Sequence, residues 1–190
     1  MVRITSAYTR RGDKGHTDLA NLGRVTKTDP RIKAVGAVNE ANAHLGLAKV
    51  AAPEHAGLLE RLQQELFDAG ADLALPLPEE ESASGVRVSP RHVAALEVEC
   101  DQLSADLAPL DSFVLPGGSE AAARLHLAAT VIRRAEHAAW QAAEAHGIDQ
   151  PAGLSATVLQ YLNRLSDLVF LLARRVGHGQ EVLWDARRDI

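Results

Sequence analysis

The chain has 190 residues, a length that fits one domain with a real hydrophobic core, and we expect residues 1–190 to form a single domain. Apolar residues make up 46% of the sequence but aromatic residues only 4%, so Ala, Leu and Val are expected to form the core of tightly packed helices. The formal net charge of −5 argues against a nucleic-acid partner. A single cysteine, Cys100, excludes an internal disulfide, and no apolar run reaches membrane length. We therefore expect a cytoplasmic protein that binds neither nucleic acid nor membrane.

The first 29 residues are rich in Gly, Thr, Arg and Lys and show no helical period, so a loop is predicted over 1–29. Within it, Gly12 and Gly15 bracket Asp13 and Lys14, an arrangement similar to a phosphate-binding nest. The GxxxxGK[ST] pattern of a Walker motif is absent from the sequence. From the residues alone, a flexible tail and a ligand-binding loop both stay open.

Apolar residues at spacings of three and four predict five helices, over about 30–52, 54–75, 90–108, 120–147 and 154–176. Asp29-Pro30, Ser89-Pro90 and the Pro-Gly-Gly-Ser turn that ends at Ser119 are predicted helix starts. Residues 76–88 are rich in Pro, Glu, Ser and Gly and are predicted to be an exposed connection. Helices of this length with short connections indicate an all-α, up-and-down bundle. The predicted buried faces carry, in chain order, Ile32, Val35, Val38, Asn42 and Leu45; Leu58, Leu59, Leu62, Leu66, Ala69 and Leu73; Val93, Leu96, Cys100, Leu103 and Leu107; Leu125, Ala128, Ile132, Ala135 and Ala139; and Val158, Tyr161, Leu162, Leu165, Leu168, Val169 and Leu172.

Polar side chains form three clusters that such a bundle could bring together. A buried Asn or Asp needs a partner, and Arg is the natural one, so either inter-helix salt bridges or a ligand site would fit these clusters. The Arg/Glu strip of the fourth helix could equally be a solvated face. No helix carries the inward Glu-x-x-His pairs of a di-metal centre. The clusters are the N-terminal loop with Lys27; Arg133, Arg134 and Glu136 with His137 beside them; and Asn163, Arg164 and Asp167.

Six segments together resemble the PduO-type ATP:cob(I)alamin adenosyltransferases. They appear in the order of that family, and only about residues 53–110 depend on the helical pattern alone. The segments are YTRRGDKGHTDL, similar to the family's Y-T-[RK]-x-G-D-x-G-x-[ST] loop; RVTKTDPR, similar to its following Lys segment; VNEANAHLG, similar to V-D-E-L-N-x-x-[IL]-G; FVLPGGSEAAARLHLA, similar to F-[IV]-L-P-G-G; VIRRAEH, similar to R-R-A-E-R; and YLNRLSDLVFLLAR, similar to L-N-R-L-S-D.

The resemblance implies a five-helix bundle with an N-terminal ligand-binding loop, assembled as a homotrimer with active sites between subunits. It implies that the protein transfers the adenosyl group of ATP to the cobalt of cob(I)alamin, giving adenosylcobalamin and triphosphate. Because Co(I) is an extremely strong nucleophile, the protein must supply alignment and charge stabilisation rather than a general base. Magnesium would accompany ATP, a reductase would supply the reduced corrinoid, and the product could be handed to an adenosylcobalamin-dependent enzyme. An adenosylcobalamin carrier and a purely structural bundle are the alternatives.

The motif positions imply roles for individual residues. Arg133 would be catalytic, and so would Phe113, as the Phe beside the corrin ring that helps to displace the lower axial ligand. The resemblance assigns no metal ligands. The nucleotide-binding residues that it implies are Thr9, Arg10, Arg11, Gly12, Thr17, Asp18, Lys27, Arg133, Arg134, Glu136, His137 and Asn163.

The chain departs from the family pattern at three positions. Asn39 stands where the family usually has Asp, Ala129 where it has Arg, and His137 where it has Arg. In the family, the first two residues form a salt bridge across the subunit interface. Losing both partners is physically coherent, since losing only one would leave a buried, unpaired charge. We therefore expect a trimer interface held by apolar packing.

Overall fold

The computed structural model describes residues 8–19, 23–79, 85–178 and 180–187. The prediction of five helices is confirmed. The prediction that the chain is all-α is wrong in one place, because the N-terminal segment contains two antiparallel strands, whose four residues each are too few to show a clear alternating pattern in the sequence. The elements are β1 (His16–Leu19), β2 (Gly23–Thr26), α1 (Pro30–Ala51), α2 (Ala56–Ala74), α3 (Pro90–Ala105), α4 (Glu120–His146) and α5 (Ala156–Val176), with a short 3₁₀ turn at Pro53–His55.

Local capping explains the helix boundaries. The Asp29 carboxylate accepts a 2.8 Å hydrogen bond from the Arg31 amide at the start of α1. Ser119 accepts a 3.1 Å bond from the Ala122 amide and so begins α4 at the predicted turn. Gly147, at φ 90°, ends α4 in a left-handed conformation that glycine adopts without strain. These signals lie within a few residues of each boundary, so the sequence predicts them closely.

The helices pack in an order that differs from their order in the chain. α1 lies between α2 and α4, and α5 lies between α4 and α3. Arg61 of α2 donates a hydrogen bond to Glu99 of α3, so the five helices form a closed ring. The pairs Arg133–Ser166 and Glu136–Asn163 show that α4 and α5 run antiparallel. As a result, α4 contacts both α1 and α5 and presents polar side chains toward two neighbours.

The core consists of Ala, Leu and Val, and the predicted buried faces of α4 and α5 are confirmed in full. On α1 the prediction is wrong by one position: Ile32 and Val35 are half-buried, whereas Arg31 and Ala34 are fully buried. On α3 only Leu96 is buried, because this helix packs mainly against α5 and so lies at the edge of the core. The other half-buried members of the predicted faces are Leu58, Val93, Cys100, Leu103 and Leu107, the last of which lies beyond the end of α3.

The buried guanidinium of Arg31 joins three distant parts of the chain. It donates hydrogen bonds of 2.8 Å to the carbonyl oxygens of Leu73 and Ala152, and of 3.3 Å to that of Gly153. Burial lowers the pKa of Arg31, while the nearby Asp29 carboxylate opposes that shift. Arg31 thereby fixes the start of α1 to the end of α2 and to the α4–α5 connection.

The described ends of the predicted exposed connection are held against the bundle. The prediction is wrong at Val88, which is buried because its amide donates a 2.9 Å bond to the Asp72 carboxylate, itself fully buried. Arg87 lies 2.6 Å from the same carboxylate. Leu77 exchanges backbone hydrogen bonds with the α4–α5 connection. Part of this predicted connection, 80–84, lies outside the described residues.

The C-terminal segment folds back along the residues that precede α4. The Leu115 amide donates to the Val182 carbonyl at 2.8 Å, and the Trp184 amide donates to the Phe113 carbonyl at 2.7 Å. The Ser112 hydroxyl donates a 2.6 Å bond to the Trp184 carbonyl. This segment, which the sequence presents as a short extension, therefore positions Phe113. In the part of the chain that the structure describes, no helix is long and apolar enough to cross a membrane.

Candidate active site

A polar cluster lies on the surface where α4 and α5 meet. The Asn163 side-chain amide donates a 2.9 Å hydrogen bond to the Glu136 carboxylate, which is largely buried. One turn away, Arg133 Nη2 lies 3.3 Å from the Ser166 hydroxyl and 3.6 Å from the Asp167 carboxylate. The predicted pairing of Asp167 with an arginine is confirmed, but Asn163 is exposed rather than buried. Arg133 is also exposed, which leaves most of its guanidinium free to meet an anionic ligand.

Glu136 and Asn163 also line a shallow depression of about 160 Å³. Trp140 forms part of its wall and is 44% exposed, so its indole offers a flat apolar surface beside hydrogen-bonding groups. Gln160 adds a side-chain amide to the same wall. Trp140 and Gln160 were not predicted from the sequence, although each lies one helical turn from a predicted site residue. Such a surface suits a heteroaromatic base that stacks and forms hydrogen bonds at its edge.

Arg134 and His137 do not join this cluster. Arg134 Nη2 lies 2.6 Å from the Glu40 carboxylate of α1, because consecutive helical residues differ in direction by about 100°. His137 is exposed on α4. The predicted strip is therefore divided: Arg133 and Glu136 face α5, and Arg134 faces α1.

Phe113 lies in an apolar groove of about 670 Å³ that is separate from the polar depression. Its ring is 78% exposed and contacts the ring of Trp184, with centroids 6.2 Å apart and planes inclined at 54°. Leu110 and Phe170 supply further apolar wall. The groove suits a large, flat, mainly apolar ligand. Trp184 and Phe170 were not predicted from the sequence, because their position beside Phe113 depends on the return of the C-terminal segment and on the packing of α5.

The polar cluster and the groove lie on successive turns of α5. Asn163 binds Glu136, Asp167 faces Arg133, and Phe170 lines the groove. Three residues of an α-helix rise about 5 Å, so these contacts are close neighbours along the helix axis. The two predicted catalytic residues, Arg133 and Phe113, therefore belong to adjoining sites.

The N-terminal arm, which we define as residues 8–19 and 23–28, gathers several predicted nucleotide-binding residues. Arg11 Nη2 lies 3.4 Å from the Asp18 carboxylate, and a Cβ added to Gly12 would lie 3.1 Å from Lys27 Nζ. Arg10 adopts a left-handed conformation, with φ 60°, that is uncommon for a residue with a side chain. Thr9 is exposed and Thr17 half-buried on β1. Among the described residues, the contacts of Arg11, Gly12 and Lys27 lie within the arm, so the structure does not join them to the Arg133 cluster.

The described residues form neither a metal centre made of protein side chains nor a reactive cysteine site. Among these residues, no group of three or more His, Cys, Asp or Glu side chains could hold a metal ion. Burial, followed by the nearby Asp167 charge, raises the pKa of the Cys100 thiol to about 11. Cys100 is therefore a protonated packing residue at neutral pH.

Comparison of the fold with solved structures identifies the class of protein. A Phe-to-His variant of the PduO-type ATP:corrinoid adenosyltransferase from Lactobacillus reuteri, complexed with cobalamin and ATP, matches with a TM-score of 0.83 at 30% identity, covering 97% of this chain and 100% of that one. An Arg-to-Lys variant from the same organism, complexed with ATP, matches with a TM-score of 0.82 at 32% identity, covering 95% of this chain and 100% of that chain. The architecture is that of the PduO-type adenosyltransferases.

Sequence comparison agrees with the fold. The family described as Cobalamin adenosyltransferase matches residues 7–176. A corrinoid adenosyltransferase of Mycobacterium bovis is 45% identical over 186 residues, covering 96% of this chain and 94% of the relative. A cobalamin adenosyltransferase of Cupriavidus metallidurans is 39% identical over 194 residues, covering 98% of each. The chain belongs to the cobalamin adenosyltransferase family, and the resemblance that its motifs indicate is confirmed.

Proposed function

We propose that the protein transfers the adenosyl group of ATP to the cobalt of a Co(I) corrinoid. The cobalt electron pair forms the new Co–C bond to the ribose methylene carbon, while the C–O bond to triphosphate breaks and its electrons leave with the triphosphate. The observation that carries this proposal is the adjacency, along α5, of the polar cluster around Arg133 and the apolar groove around Phe113. One site suits a nucleotide and the other a macrocycle, and the reaction needs the two ligands held together.

Arg133 and Phe113 have distinct roles in this proposal. The exposed guanidinium of Arg133 stabilises the negative charge that grows on the departing triphosphate, and Asp167 holds that guanidinium beside α5. Phe113 would present its exposed ring to the corrin and help to displace the lower axial ligand. Glu136 and Asn163 bind the nucleoside, and Trp140 offers its indole to the adenine.

We propose that the site is completed between subunits of a homotrimer. The contacts of Arg11, Gly12 and Lys27 within the arm support this arrangement, since these residues remain available to a triphosphate bound to the α4 surface of a neighbouring subunit. Thr9, Arg10, Thr17, Asp18 and Arg134 complete the proposed nucleotide contacts, with His137 at the end of the strip. The trimer would form without the ion pair that Asn39 and Ala129 cannot make.

Magnesium would enter with ATP. Mg²⁺ keeps several of its waters and is commonly bound through substrate phosphates rather than by protein ligands alone. It could therefore bind here through ATP, although the described residues form no cluster of three or more metal-binding side chains. Its charge would assist the departure of the triphosphate. We further propose that one domain spanning residues 1–190 acts in the cytoplasm, receives reduced corrinoid from a reductase and passes its product to an adenosylcobalamin-dependent enzyme.

The direct test combines the purified protein, ATP, magnesium and chemically reduced cobalamin under anaerobic conditions. The expected result is loss of the cob(I)alamin absorption band and formation of a light-sensitive Co–C product, with one triphosphate released per product. A reaction without ATP is the control. Absence of the Co–C product with folded protein would overturn the proposal, whereas formation of product that stays bound after turnover would add a carrier role.

A further inference from the structure

A third cavity, of about 390 Å³, lies between the start of α4 and the end of α5. The turn Pro116–Ser119 forms one wall, and Val176 and Glu181 form another. Val114 lines both this cavity and the Phe113 groove, so the two are neighbours along the chain that precedes α4. None of the proposed roles described above uses this cavity.

His126 of α4 lines the cavity and is an unusual residue to find there. Its side chain is 6% exposed, and its ring packs edge-on against Phe170, with centroids 5.9 Å apart. Among the described residues, neither nitrogen of the imidazole has a hydrogen-bond partner. Among the described residues, the one fully buried side-chain polar atom without a partner is Arg31 Nε, so the imidazole nitrogens of His126 are not fully buried and stay accessible from the cavity. A ligand group in the cavity would satisfy the ring.

The charges around His126 indicate what kind of group fits. Burial lowers the pKa of His126, and the nearby Glu181 opposes that shift, so the imidazole is neutral at pH 7 and offers one donor and one acceptor. Glu181 itself is paired with Arg174 of α5 at 2.6 Å. The remaining titratable side chain on the wall is His178, at the end of α5. These side chains give the cavity no excess positive charge, which favours a neutral donor–acceptor group over a carboxylate or phosphate.

We propose that this cavity binds a primary carboxamide arm at the edge of the corrin, with the His126 imidazole as its hydrogen-bond partner. The inference rests on the proposed function, since it assumes that the macrocycle occupies the Phe113 groove. Corrins carry several primary carboxamides around the ring, and each offers both a donor and an acceptor. Val114 lines both the cavity and the groove, and Phe170, which lines the groove, contacts the His126 ring, so the cavity is within reach of such an arm. His126 is then a specificity-determining residue for the corrinoid.

The test compares two variants and two kinds of corrinoid. His126→Leu removes both hydrogen-bonding atoms, whereas His126→Gln keeps a donor and an acceptor and is the matched control. The Kd for cob(II)alamin is measured by spectral titration, with each single-carboxylate derivative of cobalamin as a probe of one carboxamide. We expect His126→Leu to weaken cobalamin binding about fivefold, the effect of losing one ordinary hydrogen bond, while His126→Gln stays within about twofold. The KM for ATP should be unchanged in both variants.

If His126→Leu fails to fold, the single-carboxylate derivatives still test the proposal with the wild-type protein. We expect the wild-type protein to bind one of the derivatives at least about fivefold more weakly than cobalamin, and folded His126→Leu to lose that discrimination. Equal wild-type affinity for all the derivatives would overturn the proposal, as would an unchanged cobalamin Kd in folded His126→Leu. Failure of the proposed function is distinguishable, because it would appear as absence of Co–C product with the wild-type protein while the titrations still report corrinoid binding.

Discussion

The backbone amide of Trp184 donates a 2.7 Å hydrogen bond to the carbonyl oxygen of Phe113, and the two side-chain rings lie 6.2 Å apart. The Ser112 hydroxyl bonds to the Trp184 carbonyl, so the C-terminal segment holds the backbone on both sides of this contact. Because the Phe113 ring is otherwise largely exposed, Trp184 restricts the directions in which it can point. Trp184 is therefore a positioning residue for the proposed reaction.

We predict that Trp184→Ala lowers kcat for corrinoid adenosylation by about fivefold, the effect expected from losing one aromatic pair, and leaves the KM for ATP unchanged. Trp184→Phe, which keeps an aromatic ring, should retain most of the activity. Steady-state kinetics, with ATP and the corrinoid varied separately, would measure kcat and the KM for ATP independently. If Trp184→Ala and Trp184→Phe lost the same activity, or if only the KM for ATP rose, this positioning role would be wrong.

Arg133→Ala is predicted to lose about 3 kcal/mol of transition-state stabilisation, roughly a 100-fold fall in kcat. The matched control is Arg124→Ala on the same helix, since the half-buried Arg124 pairs with the exposed Glu120 one turn earlier in α4, away from the candidate site. That variant should stay within about twofold of the parent because exposed pairs contribute little. Activity of Arg133→Ala within a few-fold of the parent in a cob(I)alamin alkylation assay would reject the assignment.

The helix boundaries could be predicted because their signals are local. Ser119 caps α4 from within its own first turn, and Gly147 ends the helix by its own conformation. The position of Arg31 could not be predicted in this way. Its partners at Leu73, Ala152 and Gly153 are distant in sequence, so an apolar pattern favours the neighbouring Ile32 as the buried residue.

The same distinction between local and long-range signals applies to the candidate site. Arg133, Glu136 and Asn163 could be predicted because motifs and helical spacing place them on neighbouring faces of α4 and α5. The opposite directions of Arg133 and Arg134 depend on which helices pack beside α4, which periodicity does not specify. Trp184 reaches the site through pairing between segments distant in the sequence, and short pairings of this kind leave little pattern in the sequence.

Arg31→Met is predicted to destabilise the fold by about 3 kcal/mol or more, because it removes three hydrogen bonds from a charged donor and leaves the buried Leu73 carbonyl oxygen without its partner. Arg175→Met is the matched control, since Arg175 forms an exposed ion pair with Asp106 at 3.0 Å. This control should lose less than about 1 kcal/mol. Urea unfolding followed by circular dichroism would give both values, and equal losses in the two variants would contradict the structural role of Arg31.

Cys100 provides a single-site test of burial, because it is the only cysteine of the chain. A shift of its pKa from 9.0 to about 11 lowers the thiolate fraction at pH 8 by two powers of ten, or about 100-fold. Iodoacetamide should therefore alkylate the folded protein at least about 100-fold more slowly than the urea-unfolded chain at that pH, with the rate in the folded state still rising between pH 9 and 10. Mass spectrometry of timed samples would measure both rates.

The same shift predicts a pH dependence of stability. The unfolded chain releases the thiol proton at a lower pH than the folded protein, so the stability that the protonated thiol contributes is lost as the pH rises from about 9 toward 11. Other groups also titrate in this range, and Cys100→Ala is the variant that isolates the thiol. The difference in unfolding free energy between wild type and Cys100→Ala should shift against the wild type above pH 9. A difference that stayed constant between pH 8 and 10.5, together with rapid alkylation of the folded protein, would show that the thiol is not shielded by α3 and α5.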